Sequence, residues 1–279
     1  MIENWMQADL TINGNRIHYV RTGAGSGKPP LVLAHGFSDN GLCWEEAANE
    51  LEAQFDVIMP DARGHGLSAR VQPGEKIDMA ADLAGVIEAL GLDAPVVGGH
   101  SMGAMTASNL GAHFPRLARA LLLEDPPWFM PRPQAEKVEA AAEKEERPPH
   151  PMGAFVQSLQ VKTFEQLFAE CRAEHPNWSE LTARRWCEGK KQLDPNIVAV
   201  DNGLWSPWQG VVQAIQCPTL LVSSEPSLGG LITPESAQVI TAMNTQVRVV
   251  NIPGVGHHVR FGAHAVYMKA VWAFLQELA

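Results

Sequence analysis

Cysteine is scarce in this chain and scattered: Cys43, Cys171, Cys187 and Cys217 are the only four among 279 residues. None stands in a C-x-x-C pair or a finger-type spacing, which argues against a zinc ribbon and a dithiol redox motif. The N-terminal MIENWMQADL has no basic flank leading into an apolar run, so no export signal is expected. Reduced thiols and a cytoplasmic location follow as expectations. Basic residues are also in the minority, 21 Lys and Arg against 31 Asp and Glu, for a net charge of −10. That balance argues against a nucleic-acid partner, which draws on clustered cations. Apolar runs stop short of the ~18 residues that suggest a membrane span, so no membrane partner is expected. H-E-x-x-H and clustered His/Asp sets are missing, so no metal is expected. TGAGSGKPP at 22–30 resembles a phosphate loop, but it lacks the G-x-x-x-x-G-K-[ST] spacing and precedes a strand.

The apolar runs that are present are short and continuous: 31–34, 55–59, 95–97, 120–123, 219–222 and 247–252. Continuous runs mark strands buried on both faces, as in a parallel sheet covered by helices. Helical patterns alternate with them at 44–53, 79–90, 102–114, 234–243 and 265–278. The alternation predicts an α/β fold with a mostly parallel sheet. The N-terminal ADLTINGNRIHYVRTG alternates instead and turns at Asn13-Gly14, which predicts an antiparallel hairpin at one edge. From Pro126 to Gly210 no strand pattern occurs. The segment opens on PPWFMPRP, continues as a charged helix QAEKVEAAAEKEE and holds five of the eight tryptophans. It is expected to be an inserted helical cap over residues 126–210, with the core built from 1–125 and 211–279. Its tryptophans either fill the cap's own core or line a pocket beneath it.

VVGGHSMGAM at 96–105 places Ser101 in G-x-S-x-G, between a buried strand and a helix. Glycines leave room for a sharp turn, and the helix N-terminus favours negative charge that develops there. Ser101 is the candidate nucleophile. A serine hydroxyl needs a base to take its proton and a third group to orient that base. His257, in NIPGVGHHV after the last strand, is the candidate base, with His258 its neighbouring rival; His100 is expected to point away from the attack face. The candidate oxyanion donors are the backbone N–H groups of Met102 and of Phe37, which follows His35-Gly36 at the end of the first parallel strand.

HGF at 35–37, DARGHGLS at 61–68, GHSMG at 99–103 and PGVGHH at 253–258, in this order, resemble the α/β-hydrolase superfamily. The resemblance implies an eight-stranded, mostly parallel sheet flanked by helices, with the insertion in the cap position. It implies no organic cofactor or metal, and it makes Arg63 and Ser68 braces of a tight turn. The acid departs from the commonest pattern: Ser227 stands where many relatives carry Asp after the strand following the cap. Asp125, pinned by Pro126 and Pro127, is the first candidate; Glu225 and Glu124 stay open. The implied activity is serine hydrolysis of an ester, lactone or amide in a small, largely apolar molecule, through an acyl-enzyme. Trp128 is a candidate substrate contact. A carbon–carbon bond hydrolase, a cofactor-free haloperoxidase and a hydroxynitrile lyase use the same serine, and a hydrolase-fold receptor is the non-enzyme alternative. A monomer or homodimer is expected.

Overall fold

The computed structural model describes residues 4–129, 152–201, 203 and 207–278. Eight strands run in the order β1-β2-β4-β3-β5-β6-β7-β8: β1 (Met6–Ile12), β2 (Asn15–Arg21), β3 (Pro30–Ala34), β4 (Asp56–Pro60), β5 (Val96–His100), β6 (Ala120–Glu124), β7 (Thr219–Ser223) and β8 (Val247–Asn251). The expected hairpin forms β1 and β2, and both turn residues have positive φ, Asn13 at 51° and Gly14 at 78°. That pair of left-handed residues suits a right-twisted two-residue turn. β2 also runs antiparallel to β4, and every later pairing is parallel.

Side chains alternate across the sheet, and both faces are buried, which is why the strands read as unbroken apolar runs. Val32, Ile58, Val97, Leu121, Leu123 and Leu221 join one core; Leu31, Val57, Val96, Leu122, Leu220 and Val222 join the other. The first core packs against α2 (Met79–Ala89) and α3 (Met102–His113), the second against α1 (Glu45–Leu51) and the last helix, α10 (His264–Glu277).

Between β6 and β7 the described residues hold helices and no strand: α4 (Gly153–Val161), α5 (Phe164–Glu174), α6 (Glu180–Gln192), a short 3-10 turn and α7 (Trp208–Ala214). The charged helix expected at 134–146 and Trp205 lie outside the described residues. Buried Val156, Leu159, Leu167, Trp178 and Ala183 extend the first core into this segment without a break. α8 (Pro234–Met243) and a one-turn α9 (Val259–Gly262) complete the described helices. All four cysteines are buried and unpaired.

Candidate active site

β5 delivers Ser101 at a bend. Its φ of 52° and ψ of −116° fall outside the ordinary regions, a strain that a surrounding structure must hold. The flanking glycines explain the local fold. A Cβ on Gly103 would collide with the Ala34 carbonyl, and one on Gly99 with the backbone of Gly103. From Pro95 to Gly111 every residue is buried except Ser101. The chain presents this one side chain.

The structure brings Asp125 and His257 together. Asp125 follows β6, is fully buried and has φ of 45°. His257 Nδ1 lies 2.7 Å from Asp125 Oδ2. The Leu231 N–H donates to both carboxylate oxygens, at 3.2 and 3.0 Å. Glu225 is engaged elsewhere, accepting from the Gly254 N–H and the Ser227 hydroxyl, both at 2.8 Å. Glu124 is fully buried and clasps Arg260, accepting from its N–H at 3.0 Å and its Nη1 at 2.9 Å. Burial pushes the Glu124 carboxyl up, and Arg260 pulls it back. This clasp ties the end of β6 to α9, just past His257.

The loop after β3 is held by its own histidine. His35 Nε2 accepts from the Ala62 N–H at 2.9 Å, so Nδ1 carries the proton and donates to the Gly36 carbonyl at 2.8 Å. The Asp39 N–H closes a turn on Gly36 O at 3.1 Å, and Phe37 sits inside that turn. His65 meets Phe37 edge-on with ring centroids 5.8 Å apart, and burial drives its imidazole down to about 3, neutral at any working pH. Arg63 and Ser68 brace as the motif implied: Arg63 pairs with Asp82 at 2.6 Å, and Ser68 bridges the Asp61 carbonyl and the His18 N–H.

Trp128 is 6% exposed, packs into the first core and has a buried N–H with no partner among the described residues. His175 stacks on Trp178 at 4.0 Å, and His264 bonds Glu50 at 2.7 Å.

A polar cluster behind the site escaped the sequence reading. His100 Nε2 donates to the His257 carbonyl at 3.1 Å, leaving Nδ1 facing Asp39 Oδ2 at 4.0 Å. Burial, then Arg260, hold the His100 ring neutral. His258, the rival base, stacks on Phe261 and lies 5.0 Å from His100; burial and His257 keep it neutral too. Asp39, His100 and His258 thus bring three donor atoms within 4.8 Å of one another, a grouping that no short-range motif announces. The donors suit a divalent ion, but the surroundings do not. Lys190 already occupies Asp39 Oδ1 at 2.7 Å, and Arg260 acts on Asp39, His100 and His258. Two fixed cations oppose a third charge of the same sign.

A model of the alpha/beta hydrolase fold matches residues 29–262. The chain belongs to this family. Its relatives are hydrolases. The 2-(acetamidomethylene)succinate hydrolase of Mesorhizobium japonicum is 26% identical over 269 residues, 90% of this chain and 89% of the relative. The N-formylmaleamate deformylase of Pseudomonas putida is 28% identical over 256 residues, 89% and 88% of the two chains. The crystal structure of an E-2-(acetamidomethylene)succinate hydrolase superimposes with a TM-score of 0.78 at 22% identity, covering 98% of this chain and 99% of the other. Among the described residues no helix is long and apolar enough to cross a membrane.

Proposed function

We propose that this member of the family is a serine hydrolase of small molecules that works through an acyl-enzyme. The observation that carries the reading is the 2.7 Å pairing of His257 Nδ1 with Asp125 Oδ2, next to an elbow at which Ser101 alone is unburied. In this reading Ser101 Oγ attacks the substrate carbonyl while His257 Nε2 takes its proton. The oxygen that becomes negative accepts from the Phe37 and Met102 N–H groups. The leaving group takes the proton from His257, and water activated by the same ring releases the acid. Asp125 keeps the Nδ1 proton in place and stabilises the imidazolium.

An ester, lactone or amide fits this chemistry. The names of the two curated relatives contain acetamido and N-formyl groups, which places N-acyl compounds beside short esters in the first substrate panel. Those named compounds are also acids. Here Lys190 and Arg260 are already taken by Asp39 and Glu124, and Trp178 and Phe261 pack their rings around His258, next to His257, which supports a largely apolar substrate.

A serine-directed phosphonate is expected to add one mass equivalent to the wild-type protein and none to Ser101→Ala, and the variant is expected to fold while losing hydrolysis of a chromogenic short ester. Equal labelling of both proteins would overturn the assignment of Ser101.

A further inference from the structure

Asp39 and Lys190 are 1% and 2% exposed and face each other across 2.7 Å. Asp39 belongs to the loop after β3; Lys190 belongs to α6, in the segment between β6 and β7. The contact is between backbones as well as charges. A Cβ on Gly189 would stand 2.9 Å from Asp39 Cα and 3.1 Å from Asn40 N. Asn40 Nδ2 donates to Gln192 Oε1 at 2.8 Å, one helical turn beyond. α6 therefore rests directly on the loop that carries Phe37, and it does so at a glycine.

Asp39 is also the residue that closes the turn containing Phe37, through its N–H on Gly36 O at 3.1 Å. Gly36 leaves no slack on the inner side: its Cβ would fall 2.7 Å from His100 Nδ1 and 3.2 Å from Asp39 Oδ2. One carboxylate thus meets the cap helix through Oδ1. Through Oδ2 it faces His100, the neighbour of Ser101 and donor to the His257 backbone. Burial alone would raise the Asp39 carboxyl, but the combined pull of the neighbouring positive groups, Lys190 first among them, outweighs it and holds the group ionised. The ammonium lies 4.1 Å over the Trp186 ring, so its approach is fixed from behind.

Net stability is a weak reason for such a pair, since well-packed apolar replacements of buried ion pairs are often neutral or better. Placement is the stronger one. We infer that Asp39 and Lys190 are positioning residues for the oxyanion donor at Phe37, so that α6 governs the rate of the chemical step as well as the choice of substrate. The inference rests on the serine-hydrolase reading and goes beyond it. Oxyanion donors act only where the negative oxygen forms, and deleting one outright costs roughly 10²–10³-fold in kcat. Displacing Phe37 costs less than its deletion and leaves ground-state binding largely intact.

The double variant Asp39→Asn/Lys190→Met removes both charges at similar volume, so no lone buried charge remains. Its kcat on the best ester of the panel is expected to fall about 10- to 100-fold with KM within about threefold. The affinity for a trifluoromethyl ketone is expected to fall by the same factor as kcat. That probe reports the hole directly: Ser101 Oγ bonds to the ketone carbon, its proton passes to His257, and the carbonyl electron pair becomes an oxyanion. A pair that serves only stability predicts wild-type kcat and wild-type ketone affinity in the folded double variant, and that result overturns the inference. Gly189→Ala gives a second reading that keeps both charges: the added Cβ presses on Asp39, and kcat and ketone affinity are expected to fall together. If Gly189→Ala folds with both unchanged, the inference is likewise wrong. Failure of the parent reading looks different, because then neither phosphonate nor ketone engages Ser101 in the wild-type protein.

Discussion

At Asp125 two N–H donors share one carboxylate, and that sharing decides what an amide would do in its place. Leu231 N–H donates to both oxygens while His257 Nδ1 sits 2.7 Å from Oδ2. In Asp125→Asn the side-chain oxygen is held by Leu231, so the NH₂ turns to His257. Nδ1 then becomes the acceptor, and the proton moves to Nε2, where no base is left for Ser101. The expected loss in kcat is on the order of 10⁴, as for the equivalent exchange in a serine protease, with the circular dichroism unchanged. Glu225→Gln can keep its one oxygen on the Gly254 N–H while its NH₂ donates to the Ser227 hydroxyl oxygen, and it is expected to stay within about threefold of wild type. A crippled Glu225→Gln beside a normal Asp125→Asn would move the acid to the strand after the cap. Trp128 calls for a gentler probe. Truncating a core Trp to Ala costs about 3–5 kcal/mol, so Trp128→Phe is the informative change: it removes the indole N–H and keeps an aromatic ring. If Trp128 touches substrate, relative rates across acyl lengths shift while phosphonate labelling holds; an unchanged profile assigns Trp128 to core packing.

The elements differ in how legible they were. Strands buried on both faces and the glycine-framed elbow are local facts, written in residues next to one another, and β3 to β8 fall on the apolar runs. The position of Asp125 was readable for a similar reason: it stands at a strand end, stiffened by two prolines, and the structure places it 2.7 Å from His257 Nδ1. The Asp39–Lys190 pair was not. It joins positions 151 residues apart, and Lys190 lies in CEGKKQ, a stretch indistinguishable from a solvated helix face. The one local hint was Gly189, an unfavourable residue inside a helix that marks a close approach. The Glu124–Arg260 clasp was hidden in the same way, since Glu124 read as a rival acid. Its role as a join between β6 and α9 is testable. Arg260→Met leaves a fully buried carboxylate with one backbone donor, a change that costs about 3–5 kcal/mol. For a chain of this size that lowers the melting temperature by roughly 6 °C or more. Adding Glu124→Gln is expected to restore most of it. A single variant that melts like wild type would show that the clasp holds nothing together.

Among the described residues, histidines at buried and half-buried positions set the response to acid. His35, His65, His100, His175 and His258 all have imidazoles depressed by burial, His65 to about 3. Once unfolded, each titrates near the usual ~6.5. Between that value and its folded value, the unfolded chain binds a proton that the native state refuses. Stability therefore rises with pH in this window and is lost as pH falls through it. Each histidine contributes a slope of up to about 1.4 kcal/mol per pH unit. Burial raises Glu124 and Asp82, and these two work in the opposite sense, taking up protons first in the native state as pH falls toward the carboxylate range. They are fewer, and they act lower in pH. Asp39, held down by Lys190 and its other positive neighbours against the effect of burial, adds its loss only below the unfolded carboxylate value, ~4. The melting temperature is accordingly expected to be nearly flat from pH 8 to 7 and to fall with increasing steepness below pH ~6.5, before most carboxylates titrate. Replacing His65 with Gln removes one of the five groups and is expected to flatten the acid limb while lowering the plateau. A melting temperature constant down to pH 5 would mean that these rings do not stay neutral in the native state, and the description of His100 as a neutral donor to His257 would fall with it.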